Sequence, residues 1–176
     1  SQEIRGREIM NTKLTKYPIM KVDKFMSSNR TEYFIRYVTN TVFEKDSKIL
    51  GFCRLRLNHC TNQYLPELHG KCAVIRELHV YGKTTVVNSL IKEGVQHLGL
   101  GQKLVKKAEQ IAFLNGFEEI AITSGIGVRN YYRNKLGYEL DGLYMKKNII
   151  LIYLPMILLL ILMIWIMISG ICIIYN

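Results

Sequence analysis

QHLGLGQKLVKKAEQIA, residues 96–112, joins a glycine-punctuated turn to an amphipathic run. Leu100, Leu104, Ala108, Ile111 and Ala112 fall on one face at helical spacing, and Lys103, Lys106, Lys107 and Gln110 lie mostly outside it. The pattern predicts a helix from Gly99 to Asn115, stopped by Asn115-Gly116. Gly99 and Gly101 let the backbone approach an anion without a Cβ clash. The free N–H groups of residues 97–101, at a helix N-terminus, would point at that anion. The turn is a candidate phosphate cradle. A packing turn carries the same Gly-x-Gly, and neither a Walker-type Gly-Lys-Ser/Thr nor the third glycine of a dinucleotide fingerprint follows it.

Outward from this helix, β-branched and aromatic runs predict strands at residues 31–38 (TEYFIRYV), 49–57 (ILGFCRLRL), 74–81 (VIRELHVY) and 119–123 (EIAIT), with a last one near 138–145. In 74–81, strict alternation places Val74, Arg76, Leu78 and Val80 on one face and Ile75, Glu77, His79 and Tyr81 on the other. Residues 58–70 and 82–94 are polar or glycine-punctuated and read as loops. A short helix is expected over residues 128–136, closed by Gly137. Several strands, a helix, a strand, a short helix and a strand make an α/β or α+β domain with a mixed central sheet.

Composition bounds the function. The chain has 176 residues, 24 Lys+Arg against 14 Asp+Glu, and a formal charge of +10. Every charge lies at or before Lys147, so the basic balance belongs to the first 147 residues. A module of that size can bury a full core without staples. Its charge favours an anionic partner such as nucleic acid, a phosphorylated cofactor or a lipid headgroup surface. An apolar fraction of 49% excludes a disordered tail or a collagen-like fibre. Cys53, Cys60, Cys72 and Cys172 show no zinc, redox or Cys-x3-Cys-x2-Cys spacing, so free thiols in a reducing compartment are expected.

The segment 149–175 reads IILIYLPMILLLILMIWIMISGICIIY, in which seventeen of 27 residues are Ile or Leu. As a helix it would be about 40 Å long, more than the roughly 30 Å of a bilayer hydrocarbon core. Pro155 sits near the start, where a lost backbone bond costs least. Trp165 and Tyr175 are expected near interfaces, with Lys146-Lys147 as a positive cytosolic flank. A buried core helix would need protein on every side, which the preceding module cannot readily provide. A membrane anchor is the expectation, holding the domain in the cytoplasm against an intracellular membrane such as the mitochondrial outer membrane or endoplasmic reticulum.

Gln/Arg-x-x-Gly-x-Gly resembles the pyrophosphate loop of the GNAT acetyltransferases. RELHVYG (76–82), QHLGLGQKLVKKAEQIA (96–112), ITSGIGVRNYYRNKLGYELDG (122–142) and the closing YMKK (144–147) resemble, in order, the C-terminal acetyltransferase domain of the Elongator catalytic subunit. LGFCRLRL and the opening EIRGREI match the same pattern. Leu98 and Leu100 depart from the family's usual Gln and Phe, changes that a backbone cradle should tolerate.

The resemblance implies a GNAT fold with splayed parallel strands and flanking helices. It divides the chain into residues 1–30, a segment following the family's radical S-adenosylmethionine domain; 31–147, the acetyl-CoA-binding domain; and 148–176, an added transmembrane anchor. It implies that acetyl-CoA is held by Leu78, His79, Val80, Gln96, His97, Leu98, Gly99, Leu100, Gly101, Asn130 and Tyr131. Tyr131 and Tyr132 match the tyrosine pair the family places near the acetyl group, where a phenol can orient a carbonyl or protonate a thiolate. Glu77 is a candidate acid or base, against the plainer role of a satisfied structural carboxylate. In the full-length family S-adenosylmethionine and a [4Fe-4S] cluster also act, through ligands this chain does not contain. The implied activity is carboxymethylation of C5 of the tRNA wobble uridine, with tRNA and other Elongator subunits as partners. A protein lysine acetyltransferase would use the same cradle, and a non-catalytic membrane-attached fragment is the third class.

Overall fold

In the computed structural model, residues 17–27, 30–43, 47–58, 68, 70–81 and 99–174 are described. Period-two burial builds the sheet. In β2 (Arg30–Val38) and β3 (Ile49–Asn58), Tyr33, Ile35, Tyr37, Cys53, Leu55 and Leu57 all turn inward. They meet Leu100, Leu104, Val105, Ala108 and Ala112 on the buried stripe of α1 (Leu100–Leu114). Each buried Ile, Leu or Val among them contributes about 1.5–3 kcal/mol.

The remaining elements are β1 (Ile19–Ser27), β4 (Cys72–Val80), β5 (Glu119–Thr123), α2 (Arg129–Leu136), β6 (Glu139–Asp141), β7 (Tyr144–Asn148) and α3 (Ile150–Ile174). The seven strands lie in the order β1-β2-β3-β4-β5-β7-β6. Among the described residues only β4 and β5 pair in parallel, over Cys72–Ile75 and Glu119–Ile122. Fold class and the helix–sheet assignments agree with the sequence analysis, with three differences. A strand, β1, lies inside residues 1–30, the segment set apart from the acetyl-CoA-binding domain, and pairs along its whole length with β2. The last predicted strand is a hairpin of β6 and β7, paired through Leu140 and Met145. Most of residues 58–70 and 82–94, expected as loops, lie outside the described residues.

The third difference concerns β4. Arg54 pairs with Glu77 but Leu55 pairs with Ile75, so Arg76 is an extra residue in the ladder. Such a bulge reverses the alternation beyond it. Ala73 and Ile75 face the main core, and so do Leu78 and Val80. His79 turns to the opposite face, with its ring 5.3 Å from that of Phe52. The expected grouping of Leu78 and Val80 with Val74 and Arg76 is therefore overturned by one bulged residue.

The face opposite α1 carries a charge cluster. Glu32 Oε1 accepts from Arg56 Nε at 2.7 Å and Arg76 Nη1 at 3.2 Å, and Arg54 approaches Oε2 at 3.4 Å. Partial burial opposes ionisation of Glu32, but Arg56 and Arg54 hold its carboxyl below the usual range.

A second polar network lies inside. Glu109, 3% exposed, accepts from the Tyr138 hydroxyl at 2.9 Å and from Lys147 Nζ at 3.0 Å. Lys147 also donates to the Leu136 carbonyl at 2.7 Å, tying α1, α2 and β7 together. Lys146 is paired with Glu119 and Asp141, each at 3.0 Å. The two lysines expected as a positive flank are both engaged in ion pairs.

Replacing Lys147 with Met should leave the Glu109 carboxylate buried with one neutral donor, at a cost of about 3 kcal/mol. Urea denaturation in mild detergent measures it. The double variant Lys147→Met/Glu109→Gln should recover more than half of the loss, since no buried charge then lacks its partner.

Candidate functional site

The cleft follows from the bulge. Parallel pairing of β4 with β5 ends at Ile75 and Ile122, and Arg76 is the next residue. Beyond it β4 runs on to Val80 without a β5 partner, since β5 ends at Thr123. Leu78 and Val80 of β4 then line a cavity of about 500 Å³ with Gly99, Gly101, Gln102, Val128, Tyr131 and Tyr132.

The two glycines serve different needs. Gly99 has φ 63° and ψ 27°, a left-handed conformation that costs other residues about 1–2 kcal/mol. Gly101 is buried in the first turn of α1, where a Cβ would lie 3.0 Å from the Tyr131 hydroxyl and 3.5 Å from Val80 Cγ2. So the Tyr131 phenol stands directly over the start of α1.

Among the described residues no side chain caps α1, and its first turn holds no acidic residue. Lys103 N–H donates to the Gly99 carbonyl at 3.1 Å, so the N–H groups of Leu100, Gly101 and Gln102 lie ahead of the helical ladder. Together with the helix dipole they form an electropositive end. Leu78 and Val80 add an apolar wall. An anionic group at the helix end with a slender uncharged arm between the strands fits this combination.

The tyrosines divide the work between packing and exposure. Tyr132 is buried in the core and meets Tyr138 edge-on at 6.3 Å. Tyr131 is 38% exposed, edge-on to Tyr132 at 5.5 Å. Burial raises both phenols, Tyr132 up to about 12, so both are protonated donors near neutral pH.

Other candidates lie elsewhere. Leu100 is buried in the core and offers only its backbone to the cleft. Glu77 sits 3.5 Å from Arg54 on the face opposite α1, and the His79 side chain is on that same face; neither lines the cleft. Asn130 accepts from Arg133 Nη1 at 3.1 Å at the surface. Gln96, His97 and Leu98 lie outside the described residues. Lys103 donates to the Tyr17 hydroxyl at 2.6 Å and Lys107 to Gln110 at 2.8 Å. Among the described residues no group of three or more His, Cys, Asp or Glu side chains could hold a metal ion. Cys53 and Cys72 are buried free thiols, both raised by burial.

Sequence reasoning passed over two groups, one just after β5 and one at the start of α2. Ser124 Oγ and Arg129 Nε are buried without a hydrogen-bond partner among the described residues. Nothing local in the sequence marks them, because burial there depends on how the segment returns across the cleft.

The profile of the acetyltransferase (GNAT) family matches residues 8–138. The chain belongs to the GNAT acetyltransferase family. It is 37% identical over 155 residues to Elongator complex protein 3 of Drosophila melanogaster, covering 84% of this chain and 27% of that protein. The human Elongator complex protein 3 is also 37% identical, over 153 residues, covering 83% and 27%. Among solved structures, the archaeal Methanocaldococcus infernus Elp3 with an N-terminal deletion superposes with a TM-score of 0.60 at 34% identity, over 74% of this chain and 30% of that one. This GNAT chain spans about a quarter of the length of the curated relatives it matches, corresponding to their C-terminal region. As a GNAT domain it is an acyltransferase whose fold implies acetyl-CoA binding.

The raised tyrosines carry a pH signature. An unfolded phenol titrates near 10, whereas folded Tyr132 holds its proton up to about 12. Its stabilising effect is intact below pH 10 and is lost as pH rises from there toward 12. Urea denaturation from neutral pH upward should show this residue's contribution unchanged up to about pH 9.5, then a fall of at most about 1.4 kcal/mol per pH unit. Tyr132→Phe should make the fall shallower.

Proposed function

We propose that the splayed cleft holds acetyl-CoA with its pyrophosphate at the N-terminus of α1 and its thioester beside Tyr131. The domain then serves an Elongator-type reaction that carboxymethylates C5 of a tRNA wobble uridine. One observation carries the reading: the Tyr131 hydroxyl lies against Gly101 in the first turn of an uncapped helix. The anion-binding end and a neutral phenolic donor thereby share one cleft.

Four steps belong to this chain's own residues. The N–H groups at the start of α1 hold the anionic end, and Leu78 and Val80 exclude water from the arm between the strands. Tyr132 packs behind Tyr131 and fixes its ring. Tyr131, kept protonated by burial, donates to the thioester carbonyl or to a departing thiolate. S-adenosylmethionine and a [4Fe-4S] cluster, which supply radical chemistry in the full-length family, have no ligand cluster in this sequence. We assign them, and docking to other Elongator subunits, to the longer protein.

Charge placement supports an RNA substrate. α1 and α2 carry Lys103, Lys106, Lys107, Arg129, Arg133 and Lys135, and their one carboxylate, Glu109, is turned into the core. The helical side of the domain therefore presents cations beside the cleft, as contact with phosphate requires. The same charge repels a Lys-rich peptide, which ranks protein lysine acetylation second.

Calorimetry and turnover test this. Gly99→Asp places a carboxylate where pyrophosphate charge must sit, and is expected to weaken acetyl-CoA binding at least about 100-fold, or some 2.7 kcal/mol. Gly99→Asn, which tolerates the left-handed backbone without charge, should stay within a few-fold of wild type. Tyr131→Phe should spare binding and slow thioester hydrolysis by roughly 10²-fold or more. Hydrolysis stimulated by tRNA supports the Elongator reading. Peptide acetylation with no response to tRNA would reverse the ranking.

A further inference from the structure

We infer that α3 crosses a lipid bilayer, entering it from the pole of the domain opposite the cofactor cleft. Three observations on this chain lead there. The first is composition around the whole circumference. No Asp, Glu, Lys or Arg follows Lys147, and none of the span Ile150–Ile168 is buried in the protein. Every residue from Leu158 to Ile168 is at least 50% exposed. A second copy or a protein groove covers one stripe of a helix and leaves the rest in water. A helix with no polar face is covered on all sides by a large protein core or by a hydrocarbon phase, and this domain covers none of the span, which favours the hydrocarbon phase.

The second observation is length. The 25 residues of α3 extend about 38 Å, against a hydrocarbon core of about 30 Å, so the helix reaches both interfaces with modest tilt.

The third is how the helix leaves the domain. The Ile149 N–H donates to the Glu118 carbonyl at 2.9 Å, and the Ile149 side chain is fully buried. Asn148 Oδ1, on the last residue of β7, accepts from the N–H groups of Ile150 at 3.0 Å and Leu151 at 3.3 Å, capping α3. Tyr153 stacks on Phe113 near the C-terminal end of α1, with ring centroids 4.3 Å apart. No linker intervenes. α3 thus starts beside the end of α1, whereas the cleft lies at its beginning, about 20 Å away along the helix axis. Insertion would hold the cleft outside the bilayer, open to water and to a soluble substrate.

The full chain, synthesised with phosphatidylcholine vesicles, tests both parts. Wild type is expected to float with the vesicles and to resist alkaline carbonate. Leu159→Arg/Ile161→Arg/Ile164→Arg should cut flotation more than tenfold. Wild type released by carbonate, equal flotation of the triple variant, or a water-soluble oligomer in sedimentation would each overturn the crossing. The chain's single tryptophan, Trp165, reports depth. Bromine deep in the acyl chains should quench it more strongly than a headgroup quencher; the reverse order means a helix lying along the surface, and overturns the proposal.

Orientation is read by energy transfer to a headgroup acceptor, with Cys60 and Cys172 replaced by Ser. A dye on Leu114→Cys, at the end of α1, should transfer more than one on Ile126→Cys, beside the cleft. Equal or reversed transfer would bring the cleft to the membrane and overturn the opposite-pole arrangement. None of these readouts depends on what the cleft binds.

Discussion

The single residue inserted into β4 at Arg76 sets the rest of the domain. Parallel pairing with β5 lasts four residues, Cys72 to Ile75, and stops where the bulge begins. β5 itself runs only one residue further, to Thr123, so the rest of β4 has no partner on that side. A bulge bends its strand and re-aims the side chains after it. Here it turns Leu78 and Val80 into the opening and sends Glu77 and His79 to the far face. One extra residue therefore both opens the cleft and decides which side chains line it.

What the cleft can hold follows from α1. A helix whose first turn has neither a carboxylate nor, among the described residues, a side-chain cap leaves its dipole and first N–H groups facing the cleft. That would be a defect in a purely structural helix, because a Ser or Asp at the cap stabilises by about 1 kcal/mol. Gly99 occupies the cap position instead, in a backbone conformation suited to glycine, and Gly101 leaves room for a phenol. Both choices sacrifice helix stability to keep the end accessible. Tyr131 completes the arrangement because its raised titration range keeps a neutral donor next to that electropositive end.

Much of this was legible in sequence where the signal is local and periodic. α1 declared itself by its apolar stripe, and β2 and β3 by strong alternation of Tyr, Ile, Cys and Leu with Arg and Glu. The glycines of the cradle were legible as a motif, although Gln96, His97 and Leu98 lie outside the described residues. What escaped is non-local. The bulge shows only in which residues of β3 oppose β4, so strict alternation grouped Glu77 and His79 with Ile75. β1 is hard to see because Lys21, Asp23 and Lys24 dilute its apolar residues at the edge of the sheet. Glu109 reads as one more surface charge until Tyr138 and Lys147, 29 and 38 residues away, close on it.

The Glu109 network also connects the two poles. Lys147 holds Glu109 on α1 and the Leu136 carbonyl at the end of α2, and the next residue, Asn148, caps α3. A displacement of α3 relative to the domain therefore cannot be absorbed by a loop. It must pass either into β7, which is hydrogen-bonded on both sides by β5 and β6, or into α1 through Phe113 and Glu109. Breaking the second route would strand a buried charge, a larger cost than bending an exposed helix in its first turns. Pro155 lies in that region of α3, where it removes one helical hydrogen bond and makes bending easiest. Any tilt imposed on the apolar helix would then be taken up at Pro155, leaving the position of Gly99 and Tyr131 undisturbed.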